Sequence, residues 1–190
     1  MTVLRSKRIV LRSVEANDML VLWSWRNSTD FKTNCSTRRN SLTLEEFIEE
    51  WNSDMARDRL VQFIIFVKER AVGTIYAYSM NKTDEHVFFT TFIEKPFQGL
   101  GYGPEAVALF IKYLFDNFPI YKVYTDVYSY NTQSLLCLRK GGFIEEGKFV
   151  GHRLFEGVRY DMYRLSLFRN HPGKLQHILG GLGINNTSGL

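Results

Sequence analysis

A mixed α/β domain is what this sequence predicts: an α+β arrangement with a mostly antiparallel sheet and helices on both faces. Three observations lead there. Three strand-like runs, Leu60–Lys68, Ala71–Met80 and Val87–Glu94, are joined by short links, which favours an antiparallel meander. A glycine-rich loop then opens a helix whose Val107, Phe110, Ile111 and Leu114 fall at i, i+3, i+4 and i+7. The later strands are separated by helices, so they enter the sheet by crossovers.

The elements follow in order. Arg8 to Val14 alternates and reads as a strand. Asp18 is placed to cap a helix through Asn27, with Leu20, Leu22 and Trp23 on its apolar side. A polar stretch runs from Ser28 to Leu42. Thr43 and Glu46 then form a capping box for a helix from about Leu44 to Arg57, with Phe47, Ile48 and Trp51 at helical spacing. After the meander come a helix from Pro104 to about Asn117 and a strand, Tyr121–Tyr128. A short helix from Asn131 to Lys140 is stopped by Gly141-Gly142. Phe143–Val150 and Val158–Leu167 form a terminal hairpin. The domain is expected over residues 1–168, with a Gly-rich tail over 169–190.

Bulk properties narrow the function. A chain of 190 residues suits one domain with a tail, and 15% aromatic content favours strands and a filled core over a helical bundle. The net charge of +4 suits a polyanionic ligand, yet no basic block exceeds Arg38-Arg39, so nucleic-acid binding is not expected. Cys35 and Cys137 form no CxxC, and His86, His152, His171 and His177 form no HExxH, so no metal is expected. There is no 18-residue apolar run and no signal-peptide pattern. The expectation is a reduced, cytoplasmic protein with no membrane partner.

The loop Gln98-Gly99-Leu100-Gly101-Tyr102-Gly103 carries the chemistry. Its glycines can adopt φ > 0 and bring bare backbone against a ligand. Pro104 suits the first helical position, where no N–H is needed. Loop amides and the helix dipole together make an anion site fit for a pyrophosphate. The plain alternative is a tight glycine turn with no ligand. A Walker loop is excluded, because no Gly-Lys-Ser/Thr follows. Gly101-Tyr102-Gly103-Pro104-Glu105-Ala106 matches the G-x-G-x-x-A dinucleotide fingerprint, with Asp126 near the ribose-acid position. It sits mid-chain after a meander, however, and that is the wrong place.

A second motif follows. Gln98-x-x-Gly101-x-Gly103 and Asn131-x-x-Ser134-x-x-x-x-x-Lys140-x-Gly142-Phe143 together resemble the two cofactor motifs of the GNAT superfamily of N-acetyltransferases. The resemblance runs from about Arg8 to Phe168 and is nearest the RimJ/RimL-like group, which acetylates protein N-termini and small amines. It implies acetyl-CoA as co-substrate, lying between a central pair of parallel strands that splay apart. Backbone groups of Phe92 and Ile93 would pair with the pantetheine arm. Amides of Gln98, Gly99, Leu100, Gly101, Tyr102 and Gly103 would hold the pyrophosphate. Asn131 would anchor the arm near the sulfur, and Lys140 would meet a phosphate.

The resemblance also locates catalysis. Many relatives carry a tyrosine seven residues after the motif asparagine as proton donor to the leaving thiolate. Here that position is Leu138, and Ser134 is the best substitute, against a packing role for the same residue. Glu94 is the candidate general base, against a solvent-facing strand end. Trp25, Arg26, Asn27 and Tyr160 would meet the acceptor, a small-molecule amine such as an amino sugar or its nucleotide, or a protein N-terminus. For the tryptophans, core packing is the competing role, above all for Trp23. The tail points to a partner surface such as that of a homodimer, and the oligomeric state is open. The other readings are a non-catalytic CoA-binding module of the same fold and a dinucleotide-binding oxidoreductase fragment.

Overall fold

The computed structural model describes residues 2–57, 60–171 and 180–181. It has eight strands: β1 (Val3–Arg5), β2 (Val10–Ser13), β3 (Leu60–Val67), β4 (Arg70–Asn81), β5 (His86–Ile93), β6 (Lys122–Tyr128), β7 (Ile144–Phe155) and β8 (Val158–Phe168). Its five α-helices are α1 (Met19–Asn27), α2 (Thr29–Asn34), α3 (Leu44–Ala56), α4 (Tyr102–Asn117) and α5 (Thr132–Gly141). All strands join one sheet in the order β1-β2-β3-β4-β5-β6-β8-β7. Every pairing is antiparallel except β5 with β6.

Alternation along the strands divides the core in two. Val87 and Phe89 of β5 join α4 and Leu135 of α5 in the larger cluster on one face. Phe92 points the other way, into a smaller cluster with Leu22, Trp25, Phe31 and Phe47 from α1 to α3. Helices therefore cover both faces, as the sequence predicts, because successive strand residues alternate sides. The capping box at the start of α3 forms as expected: Glu46 N–H donates to Thr43 Oγ1 (3.2 Å) and Thr43 N–H to Glu46 Oε2 (2.8 Å).

Several expectations need correction. Asp18 stands at the N-cap position of α1 as expected, but its side chain makes no cap bond. Its carboxylate takes two bonds from the Arg12 guanidinium (3.0 and 2.8 Å) and one from Glu15 N–H (2.7 Å), closing a 3-10 turn ahead of the helix. The polar stretch contains α2, which starts on a Ser28 cap (Phe31 N–H to Ser28 Oγ, 3.2 Å) and buries Phe31. The helix α4 begins at Tyr102, two residues before Pro104. The strand β7 runs five residues past Val150. It is a sheet edge exposed along most of its length, so period-2 patterning gives little sign of it. The body also continues past residue 168, since the Arg169 guanidinium donates to the carbonyls of Phe115, Phe118 and Ile120. Most of the Gly-rich tail, with His177, lies outside the described residues.

Candidate active site

The site begins where the parallel pair stops. The β5 and β6 strands pair only at His86 with Lys122, Val87 with Val123 and Phe88 with Tyr124. Both continue beyond that point, to Ile93 and Tyr128, so a gap opens between them. Main-chain direction along β5 follows from two bonds. Glu85 C=O accepts from Tyr121 and Lys122 N–H at the β6 side, and Glu94 N–H donates to Val72 C=O of β4 (2.8 Å). Alternation therefore turns the main chains of Thr91 and Ile93 to the gap and that of Phe92 to β4. Of Phe92 and Ile93, the residues expected to pair with the cofactor arm, Ile93 turns its main chain to the gap and Phe92 does not, while Thr91 does. Phe92 contributes its buried ring, packed 6.0 Å from Trp25 and 5.3 Å from Phe31. Gly73 permits the tight β4–β5 approach, since a Cβ there would sit 2.1 Å from Phe92 O.

Thr91 was not legible as a site residue. Its Oγ1 is buried with no hydrogen-bond partner, and its carbonyl receives only a weak Cys35 thiol contact (3.7 Å). Burial, aided by Asp30, raises the Cys35 pKa to about 12, so that thiol stays protonated at neutral pH.

From Ile93 the chain turns through Lys95–Phe97 into the glycine loop. Gly99 (φ 76°) and Gly101 (φ 85°) are left-handed, and Gly101 is the N-cap of α4. Gly103 keeps an ordinary negative φ inside the first turn, contrary to expectation, because α4 starts earlier. The Gln98 side chain donates to Ile93 O (2.8 Å), tying loop to strand. Arg8 pins the loop from below, with bonds to Leu100 O (3.0 Å) and Gly101 O (3.3 Å). Its Nε bonds Glu105 Oε2 (2.7 Å), and Ser6 Oγ bonds the other oxygen of this buried carboxylate. No sequence signal marked this trio, because a glutamate in a first helical turn ordinarily serves the dipole from the surface.

Across the gap, Asn131 caps α5, accepting from Ser134 N–H (3.2 Å). The Ser134 hydroxyl, half-buried one turn in, has no hydrogen-bond partner among the described residues. Leu138 packs against the main core and so leaves no phenol here. Lys140 is exposed, and the neighbouring Arg139 pairs with Glu145 (2.8 Å).

The expected acceptor residues divide. Trp25 is 3% exposed, so it is core, and it reaches the site only through its indole N–H on Glu94 (2.7 Å). Glu94 also faces Arg70 at 3.8 Å, so it is a held carboxylate and not a free strand end. Asn27 holds Leu42 with its amide, donating to the carbonyl (3.0 Å) and accepting the N–H (2.9 Å), which fixes its orientation. Trp23 is half-buried, with its indole N–H on the same Leu42 carbonyl (2.8 Å). Arg26 stacks on Phe31 (5.4 Å), and Tyr160 meets Tyr130 edge-on (4.9 Å). His86 lies at the opening end of β5 against Phe88 and Tyr124, away from the gap. The dinucleotide reading fails on geometry, because Asp126 is held in a bidentate pair by Arg164 (2.8 and 2.8 Å).

A mixed sheet that parts at its one parallel pair, followed by left-handed glycines at a helix mouth, defines an acyl-CoA N-acyltransferase. The orphaned Thr91 hydroxyl and the gap-facing main chain of β5 fit a pantetheine arm, and the loop amides fit its phosphates. The chain belongs to the acetyltransferase (GNAT) domain family, whose model matches residues 8–144. It is an acyl-CoA-dependent acetyltransferase.

A Bacillus subtilis prophage-derived N-acetyltransferase, YokL, is 23% identical over 138 residues, which is 70% of this chain and 76% of that protein. Spermidine N-acetyltransferase from Vibrio cholerae, solved with CoA and spermine, superposes with a TM-score of 0.81 at 19% identity, covering 86% of this chain and 96% of that one. RimL, a ribosomal L7/L12 α-N-protein acetyltransferase solved with CoA, gives 0.78 at 14% identity, covering 88% and 98%. No helix among the described residues is long and apolar enough to cross a membrane.

Proposed function

We propose that this protein transfers an acetyl group from acetyl-CoA to a primary amine by direct attack in a ternary complex. The acceptor is a small molecule, such as an amino sugar or its nucleotide, or a protein N-terminus. One observation carries the reading: β5 parts from β6 after Phe88 and runs, with its Thr91 and Ile93 main chains turned to the gap and not paired to β6, straight into the left-handed glycine loop.

Acetyl-CoA supplies an activated thioester acyl group when bound. The chain's own groups do the rest. Main-chain groups of Thr91 and Ile93 align the arm as an added strand. The amides of residues 98–103 and the α4 N-terminus hold the pyrophosphate, while Arg8 and Glu105 hold the loop in shape. Ile93 N–H points where charge develops on the carbonyl oxygen. Glu94, fixed by the Trp25 indole, accepts the amine proton directly or through one water. Ser134 Oγ, with no partner of its own, hydrogen-bonds the departing thiolate and relays to it a proton that solvent water resupplies to the hydroxyl. Lys140 stays at the rim for a phosphate.

The test is direct. Acetyl-CoA at millimolar concentration raises the melting temperature by mass action, and thiol is released with an amine acceptor. Spermidine and N-terminal peptides, the acceptors named for the two structural relatives, are the first to assay. Ser134→Ala lowers kcat by roughly tenfold or more with KM for acetyl-CoA unchanged, as expected for a group acting only in the chemical step. Failure of acetyl-CoA to stabilise the protein would sink the proposal. One observation favours a second reading, a CoA-binding module without turnover: Leu138 stands in the core where relatives carry tyrosine. Stabilisation by CoA with no thiol release over a broad amine panel would select it.

A further inference from the structure

Two buried side-chain polar atoms lack a partner among the described residues: Thr91 Oγ1 on the gap strand and Arg153 Nε. The second is the more demanding. Arg153, on β7, is 7% exposed, and a buried guanidinium without an acid is a costly arrangement. None of the ten ion pairs among the described residues includes it. Its terminal nitrogens reach two main-chain carbonyls, at 3.4 Å to Thr37 O and 3.2 Å to Lys32 O, and the uncharged Tyr130 hydroxyl. It lies over the Tyr128 ring at 5.0 Å, which offsets part of the cost. Neither nearby phenol is a counter-ion: burial raises the pKa of both Tyr128 and Tyr130, the latter to about 12, and Tyr130 donates its proton to Thr33 O (2.6 Å).

The position matters as much as the missing charge. Tyr128 is the last residue of β6, at the open end of the gap. The segment that supplies the two carbonyls, Lys32 to Thr37, also carries Cys35, whose thiol touches the Thr91 carbonyl on β5. Arg153 is therefore joined to the gap strand through one segment, on the face covered by α1 to α3. Residues 37–41 above it are exposed, while the ends of this loop are tied down at Cys35 N–H and at Leu42.

We infer that Arg153 is the recognition site for an oxyanion, carboxylate or phosphate, carried by the amine acceptor itself. This inference rests on the acetyltransferase reading above. The planar fork of an arginine takes such a group through two parallel N–H bonds, and an anion exchanges two long carbonyl contacts for charge-assisted ones. The acceptor is thus zwitterionic: its amine enters the gap beside Glu94, and its anion lies beneath the 37–41 loop. A simple polyamine offers this guanidinium only repulsion.

The experiment uses matched amines that differ only in charge, with acetyl-CoA: 5-aminopentanoate against 5-aminopentanamide, and aminoethyl phosphate against ethanolamine, with spermidine as a cationic reference. In the wild type, the acid of at least one pair shows a kcat/KM about tenfold or more above its neutral mate. The favoured pair distinguishes carboxylate from phosphate. In Arg153→Met that preference falls to about one, and in Arg153→Lys it is intermediate. Stabilisation by CoA verifies that each variant is folded. Where no pair turns over, the same compounds are compared by the melting-temperature shift they add to the CoA complex, with the same preference expected. Equal treatment of acid and neutral mate by the wild type, or a preference that survives in Arg153→Met, overturns the inference. Loss of CoA stabilisation in the wild type instead removes the enzyme reading beneath it.

Discussion

Glu105 is 2% exposed, yet it is a carboxylate in the first turn of the helix that opens the phosphate loop. Its oxygens are fully used: Ser6 Oγ holds one, and the Arg8 side chain the other. Arg8 in turn is half-exposed and spends its remaining donors on Leu100 O and Gly101 O. Removing the buried partner leaves these groups mismatched and frees the loop. Glu105→Ala is therefore expected to cost about 2 kcal/mol of stability and to raise KM for acetyl-CoA by roughly tenfold, with kcat less affected. Urea melts and initial rates check both. An unchanged KM would show that the loop keeps its shape without this anchor. At this scale the sequence was half legible. Gly99, Gly101, Asn131 and Ser134 stand out because their residue types serve local backbone geometry. Arg8, Glu105, Thr91 and Arg153 do not, because what marks them is burial set by distant contacts: Arg8 meets Glu105 across 97 positions.

Among the elements, helices were read best. Phe47, Ile48 and Trp51 in α3 and the apolar stripe of α4 repeat at the helical period, and Thr43 with Glu46 closes its box as read. Errors fell where side chains serve tertiary partners. Asp18 occupies the N-cap position of α1, but its carboxylate answers Arg12 and not the helix amides. The short α2 had its own signal in the Ser28 cap, which a polar context obscured. The C-terminal end of α4 shows the same dependence on remote sequence. Helix C-termini leave carbonyls without partners. Here the Arg169 guanidinium, from beyond the last strand, takes Phe115 O (2.6 Å), Phe118 O (2.8 Å) and Ile120 O (2.7 Å). A cation there also suits the helix dipole. Arg169→Ala is expected to lower stability by about 2 kcal/mol and the melting temperature by about 4–8 °C, while leaving kcat at 25 °C within about twofold. The site lies at the other end of α4, so a large loss of kcat in a folded variant would show that the two ends are coupled.

Over the whole molecule, firmness is distributed unevenly across the sheet. Its middle is dry: Ile64, Ile65, Val87, Val123 and Leu165 are fully buried between the helical layers. Its β7 edge is mostly exposed, is shifted in register twice against β8, and is tied down by charge. Glu146 bonds Ser166 Oγ (2.7 Å) and Lys122 (3.2 Å); Asp161 bonds Lys148 (2.8 Å) and Gly151 N–H (2.8 Å). Burial pushes the Glu146 carboxyl up, but the Ser166 and Lys122 bonds outweigh it and the net shift is downward. Asp161 is lowered by its Lys148 and Gly151 hydrogen bonds. A carboxylate with a depressed folded-state pKa contributes stability above its ordinary value, and loses it as the pH falls through the folded-state value. The ordinary values are 4.5 and 3.8, so the β7 edge is fully tied at neutral pH and loosens below about pH 4. Two-dimensional NMR between pH 7 and pH 2.5 should show β7 amides shifting and broadening while the β3 and β4 amides still hold their native positions. Because Arg153 sits on β7, the acceptor side should weaken before the CoA side, and CoA should still stabilise the protein in the acid range where acceptor preference fades. Simultaneous loss of β7 and β3 signals at one pH would mean that the sheet melts as a unit and that these ion pairs hold nothing separately.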